Sequence, residues 1–243
     1  MNDEVIVSAG TPIYSVPLGI IMLDCKFPRI VGDVGNVKSF SFPVQYEILF
    51  DVNFQKLINE EDPDSIRVLV SAAAKLERMG VHAVTTSCGL LLKYQRLLSE
   101  RLSIPVATSA VFMLPTLASI LSTSQKVLIV CSDSNSLTSE DIVKHTLVPE
   151  SRFNVHGLQD CPKFNNMFNV QDAGVTCLLD KEVIYKEIYD SCKKVINEAN
   201  NTYKIVLLEC TNLGVYSKRL KIDLGLPVFD FLSLAQLLYS GVI

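Results

Sequence analysis

The chain has 243 residues, 49% hydrophobic and 20% charged, the make-up of a soluble globular protein. That length suits one large domain or two of roughly 120 residues, each able to bury a core. Its 22 basic and 26 acidic residues give a net charge of −4 without long single-sign runs, which argues against a polyanion-binding surface and so against a nucleic-acid partner.

The opening stretch MNDEVIVSAG is acidic and lacks a basic start before an apolar run, so it does not read as a secretory signal. The first strand-like run, 18–23, ends at Asp24; like every other apolar run it is far too short to span a bilayer, and no membrane partner is expected. Residues 24–44 follow, with Pro28, Gly32, Gly35 and Pro43 and little periodicity. A connection of this length is read as a lid or binding loop or as a plain surface excursion.

Further strand-like runs occupy 81–85, 104–107, 127–130, 153–157, 205–208 and 226–229. They are nearly continuous apolar stretches rich in Val, Ile and Leu, as expected for parallel strands covered on both faces. Between them, Leu91, Tyr94, Leu98 and Leu102 recur at helical spacing. Ile184, Ile188, Cys192 and Val195 form a second helical stripe, with Asp180 placed as its N-cap. Residues 158–175, rich in Asn and Asp, read as a loop. Strands alternating with helices imply a doubly wound α/β fold with parallel sheets.

The two halves repeat. Each opens on a similar strand, LGIIMLD and KVLIVCSD, and each carries a strand running into a cysteine turn, VHAVTTSCG and YKIVLLECTN. Cys88 lies 17 residues before Pro105, and Cys210 lies 17 residues before Pro227; both prolines open a Pro-Val strand. The pattern predicts two pseudo-symmetric, Rossmann-like α/β domains, 1–123 carrying Cys88 and 124–243 carrying Cys210, with the terminal helix free to pack on the first. Ligands in open α/β sheets bind at the carboxyl edge of the strands, so the site is expected in the cleft between the domains.

Seven cysteines are present, Cys25, Cys88, Cys131, Cys161, Cys177, Cys192 and Cys210. An odd number at irregular spacing indicates free thiols in a reducing compartment, and a cytoplasmic location is expected. A lone cysteine after a strand is usually a small buried residue. Two at equivalent repeat positions, in polar turns, point instead to function. Cys177 and Cys192 are read as core or surface residues, and Cys25 and Cys131 as packing residues bordering the cleft. His82, His145 and His156 are scattered and read as structural. There is no CxxC, no Cys/His zinc spacing and no phosphate loop, so no metal site is expected.

A cysteine at a helix N-terminus feels unpaired N–H groups and the positive end of the dipole, which favours its thiolate. The same N–H groups can hold a carboxylate, with Ser87, Gly89, Thr211 and Asn212 adding small polar groups and close backbone approach. One thiolate could remove an α-proton while the opposite thiol returns one to the other face. No cofactor is needed if hydrogen bonds stabilise the enediolate. Arg29 is a candidate for a distal substrate carboxylate, or an exposed loop arginine; Asp24 and Ser132 end equivalent strands and are candidates to line the cleft.

Through LGIIMLDCKFPRIVGDVGN, TTSCGLLLKYQ, IPVATS, LLECTNLGVYSKRL and GLPVFDF the chain resembles the aspartate/glutamate/hydantoin racemase superfamily over nearly its whole length. The resemblance implies a cofactor-independent isomerase with Cys88 and Cys210 as the acid–base pair, a small carboxylate-bearing substrate, and a homodimer. The leading reading is an aspartate/glutamate-type amino-acid racemase. The alternatives are β-elimination of the dimethylsulfoniopropionate lyase type, a hydantoin racemase, and a non-catalytic small-carboxylate binding protein. A decarboxylase of this superfamily needs only one of the two cysteines. Where two prolines usually follow the ECTN-Leu segment in this branch, the chain carries Gly214-Val215.

Overall fold

The computed structural model describes residues 10, 13–50, 52–169, 179–200 and 202–242. The opening stretch 1–9 and Cys177 lie outside them.

The apolar runs form two four-stranded parallel sheets. The first contains Leu18–Leu23 (β1), Val44–Leu49 (β2), Ala83–Thr86 (β3) and Val106–Ala107 (β4), in the order β2-β1-β3-β4. The second contains Lys126–Cys131 (β5), Phe153–Gly157 (β6), Tyr203–Leu208 (β7) and Val228–Phe229 (β8), in the order β6-β5-β7-β8. The spatial order repeats from one half to the other, as the repeat predicts. β2 falls outside the predicted runs. It is an edge strand, mostly half-buried, with polar Gln45 and Glu47 alternating along it, so it lacks the continuous apolar signature of a central parallel strand.

The helices are Pro63–Arg78 (α1), Gln95–Ser99 (α2), Leu114–Ser119 (α3), Ser139–Thr146 (α4), Pro162–Asn166 (α5), Lys181–Glu198 (α6), Gly214–Leu224 (α7) and Phe231–Val242 (α8). Asp180 caps α6 as predicted, its carboxylate accepting from the Glu182 and Val183 N–H groups, and Ile184, Ile188 and Cys192 are buried along one face. The stripe Leu91, Tyr94, Leu98 and Leu102 is also buried. There the chain forms a 3-10 turn over Gly89–Tyr94 before α2, so the predicted helix is two short elements.

Each sheet is covered on both faces, and one covering helix of each comes from the other half. Ile21, Leu23 and Val84 of the first sheet pack against α1 and the 91–98 stripe. The opposite face, Leu18, Ile20, Met22 and Ala83, packs against Ala235, Leu238 and Tyr239 of α8. Tyr239 stacks on Phe42, ring centroids 4.0 Å apart. In the second sheet, Leu128, Val130, Val206 and Leu208 face α5, α6 and α7, while Val127, Ile129, Ile205 and Leu207 face Leu114, Leu117 and Ala118 of α3. A cut at 123/124 falls in the connection from α3 to β5, and the last helix of each half crosses to the other's sheet. Among the described residues, no helix is long and apolar enough to cross a membrane.

The 24–43 segment is pinned against the start of α7. Gly32 has φ +110°, and a β-carbon there would come within 2.5 Å of the Val215 Cα. A side chain at 214 would in turn collide with the Gly32 carbonyl, which accounts for Gly214 where the resemblance leads one to expect proline. Gly32→Ala is expected to cost about 2 kcal/mol through its left-handed backbone alone. It should also lower activity by displacing the Cys210 turn; urea unfolding and a turnover assay on the same sample check both.

Candidate active site

β3 and β7 deliver the two cysteines. Each strand ends in a short polar segment, and the cysteine follows in extended conformation, φ −149° at Cys88 and −75° at Cys210, immediately before a 3-10 turn. The Thr211 hydroxyl donates a buried hydrogen bond of 2.9 Å to the Ser87 carbonyl, tying the two turns together. Cys88 and Cys210 line one cavity of about 590 Å³ at the carboxyl edge of both sheets. Arg29, Ser87, Gly89, Ser132, Thr211 and Asn212 line it too. Asp24 is not among the lining residues, and its carboxylate pairs with Lys26. The wall includes Leu23, Phe27, Phe54, Leu90 and Phe168, so the cavity is largely apolar and aromatic.

Asp33, which the sequence reading did not single out, organises one side. It is 2% exposed, and its carboxylate accepts from Arg29 Nη1 at 2.9 Å, the Gly35 N–H at 2.6 Å and Asn212 Nδ2 at 2.6 Å. Asn212 Oδ1 lies 3.5 Å from Cys210 Sγ and accepts from the thiol. A continuous polar chain thus runs from Arg29 through Asp33 and Asn212 to Cys210. The Arg29 guanidinium carbon sits 4.5 Å from the Phe27 ring centroid. Arg29 is therefore a largely buried, paired cation at the cavity wall, not an exposed loop arginine.

Glu209 is the second residue the sequence reading passed over. Burial pushes its carboxyl up to about 8, so it holds its proton at neutral pH. The thiols are also shifted. Burial, followed by the neighbouring Glu209, pushes Cys88 well above the ordinary thiol range and Cys210 up to about 12. N–H groups of Leu90 at Cys88, and of Asn212 and Leu213 at Cys210, pull the other way without prevailing. The expected helix-terminus preference for thiolate is thus reversed in the free protein: desolvation of a buried charge outweighs a few oriented N–H dipoles.

Burial raises the other described thiols too, but they are placed differently. Cys25 lines the cavity beside Phe27, while Cys131 ends β5 inside the core. Cys161 and Cys192 are buried in the core of the second half. None of the three histidines lines the cavity; His156 pairs with Ser191 at 2.8 Å. Among the described residues, no group of three or more His, Cys, Asp or Glu could hold a metal ion.

No family model matches the chain. It is similar to dimethylsulfoniopropionate lyase 7 of Emiliania huxleyi, 28% identical over 221 residues, covering 88% of this chain and 63% of that protein. It is likewise 28% identical over 232 residues to a dimethylsulfoniopropionate lyase of Durusdinium sp. clade D, covering 93% of this chain and 75% of that one. The chain spans only 56% of the length of two further Emiliania huxleyi relatives, dimethylsulfoniopropionate lyases 3 and 6. Among solved structures, unliganded arylmalonate decarboxylase superposes with a TM-score of 0.57 at 14% identity, covering 94% of each chain. A glutamate racemase of Bacillus anthracis superposes with a TM-score of 0.58 at 14% identity, over 93% of this chain and 82% of that one. What the chain shares with these structures is the architecture, two four-stranded parallel sheets with flanking helices: it has the two-domain racemase fold that its sequence resemblance implied.

Proposed function

We propose that the chain is a cofactor-independent enzyme that removes the proton α to a carboxylate with a cysteine of the Cys88–Cys210 pair, and that it completes the reaction as a lyase, expelling a sulfide from the β-carbon of dimethylsulfoniopropionate or a close analogue. The observation that carries the reading is the convergence of both thiols on one largely apolar cavity. The elimination reading draws further support from the name shared by its sequence relatives.

The cavity's chemistry fits that substrate class. A sulfonium zwitterion needs a site for its carboxylate and another for a soft cation. Arg29 spends Nη1 on Asp33 and has further guanidinium donors for a carboxylate. Phe27, Phe54 and Phe168 offer aromatic surface to the cation. The arriving positive charge also lowers the pKa of a nearby buried thiol, so substrate binding itself helps generate the base that the free protein lacks. The thiolate takes the α-proton and the C–H electron pair is held on the carboxylate as an enediolate; that pair then returns to form the Cα–Cβ double bond as the C–S bond breaks with its electrons on the departing neutral sulfide. Acrylate, sulfide and one proton account for all atoms and charge.

Racemisation of an acidic amino acid is the second reading, favoured by the equivalent placement of the two cysteines in the repeat. Elimination needs one base, whereas inversion needs an acid on the opposite face. Incubation with dimethylsulfoniopropionate and headspace detection of dimethyl sulfide tests the first reading. Proton NMR of D- and L-aspartate and glutamate in deuterium oxide tests the second. Release of dimethyl sulfide supports the lyase, and α-deuteration of both enantiomers without elimination supports the racemase. Thermal stabilisation by these carboxylates with no turnover would return the chain to a binding role.

A further inference from the structure

Glu209 precedes Cys210 directly, yet nothing in two-base chemistry requires an acid there. It is 2% exposed, lines the cavity, and its Oε1 has no hydrogen-bond partner. The carboxyl lies over Gly89, the residue after Cys88; a β-carbon at 89 would stand 2.5 Å from Glu209 Cδ and collide with Oε1. So the group belongs to one cysteine turn and rests on the other. A buried carboxyl with an idle oxygen is costly to keep unless something occupies it in the working state.

We propose that Glu209, as a neutral carboxylic acid, donates its proton in a hydrogen bond to the carboxylate of the bound substrate and holds the enediolate that forms when the α-proton leaves. This deepens the proposed function and rests on it. Removing the α-proton drives an electron pair onto the substrate carboxylate, which becomes a dianion between Glu209 and the Arg29 guanidinium, both of which line the cavity. A carboxylic acid in a dry site is a donor whose bond strengthens as that charge grows, and it costs no net transfer of its proton. An ionised Glu209 would repel both the substrate and the developing dianion.

The acid form also keeps the bases usable. The groups that feel the charge of Glu209 are Cys88 from the first half, and Cys131 and Cys210 from the second; these thiols in turn feel Cys25, Asp133 and Asp33 respectively. Ionised Glu209 raises all three thiols. Because burial holds its carboxyl up to about 8, Glu209 is neutral below that pH and charged above it. Activity should therefore fall on the alkaline side of about pH 8 when Glu209 loses its proton, even though a thiolate base alone would favour higher pH.

The test compares Glu209→Gln with Glu209→Ala in the full chain. Glutamine keeps a donor of the same shape but cannot ionise. E209Q is expected to keep kcat at pH 7 within about tenfold of the parent and to lose the fall above pH 8, while E209A loses kcat about 100-fold at pH 7 and likewise lacks the alkaline fall. An alkaline fall retained in E209Q, or a kcat loss in E209Q equal to that in E209A, overturns the proposal. Because E209Q is isosteric, the comparison of E209Q with the parent survives if E209A does not fold. Should the parent turn over no carboxylate at all, the proposed function fails, and thiol chemistry then tests Glu209 separately. Iodoacetamide should alkylate Cys88 and Cys210 of E209Q about tenfold faster than those of the parent at pH 9, where the parent's Glu209 is charged; equal rates overturn its role.

Discussion

Serine in place of either cysteine that acts as the base is expected to lower kcat by about 1,000-fold, because a hydroxyl surrenders its proton far less readily than a thiol. The pattern across the pair carries the information. In an elimination, only one thiol faces the α-proton; Cys88→Ser or Cys210→Ser should be near-silent for one residue, a loss of about tenfold or less, and severe for the other. In a racemisation both variants lose interconversion, yet each still exchanges the α-proton of one enantiomer, and opposite enantiomers in the two variants. Dimethyl sulfide release and enantiomer-resolved α-deuteration, run on both variants, read the two patterns. Near-parent activity in both would remove cysteine acid–base chemistry from the account. Serine is one atom's exchange in a half-buried position, so thermal midpoints should move by only a few degrees and keep the activity loss distinct from unfolding.

The largest stability effect is expected at Asp33. Its carboxylate is 2% exposed and holds Arg29, the Gly35 N–H and the Asn212 amide, with contacts of 2.9, 2.6 and 2.6 Å. Asp33→Ala leaves the Arg29 guanidinium, on a side chain only 12% exposed, without its counter-charge and strands two further donors. Breaking a buried pair from one side costs about 3–5 kcal/mol. Urea denaturation should show that loss as a lower midpoint with an unchanged slope. Pairing the change with Arg29→Met removes the stranded cation and should return about half of it, which distinguishes an uncompensated charge from a simple cavity. A loss below about 1 kcal/mol would mean that water reaches Arg29 freely. Because Asn212 contacts the Cys210 thiol, the single variant should also depress activity by more than its instability explains.

The central strands were legible because they are buried on both faces and so read as unbroken Val, Ile and Leu runs. The edge strand Val44–Leu49 was not, since it is only half-buried along most of its length and Gln45 and Glu47 interrupt its apolar run. The repeat exposed Cys88 and Cys210 together, since 17-residue spacing to a Pro-Val strand is a pattern in sequence alone. Asp33 and Glu209 were hidden for different reasons. Asp33 sits between Gly32 and Val34 in a loop, and while Arg29 and Gly35 are close by in the chain, Asn212, the partner that ties it to the Cys210 turn, is 179 residues away. Glu209 did leave a trace. It continues the apolar run YKIVLL, and laying the halves over one another sets it against Ser87, so the repeat is broken at that place by one acidic side chain. The thiol electrostatics were misjudged because a sequence reveals the N–H groups that follow a turn but not how deeply the turn is buried.

The exchange of α3 and α8 between the sheets has a consequence for how the site can be assembled at all. A chain divided between residues 123 and 124 would take α8 from one face of the first sheet and α3 from one face of the second, although α4 and α8 would still cover part of that second face. Neither cysteine turn can reach its final position until both sheets have gained each other's helix. The walls of the cavity thus belong to halves that are also joined through Tyr239 on Phe42 and through Leu114 on the second sheet.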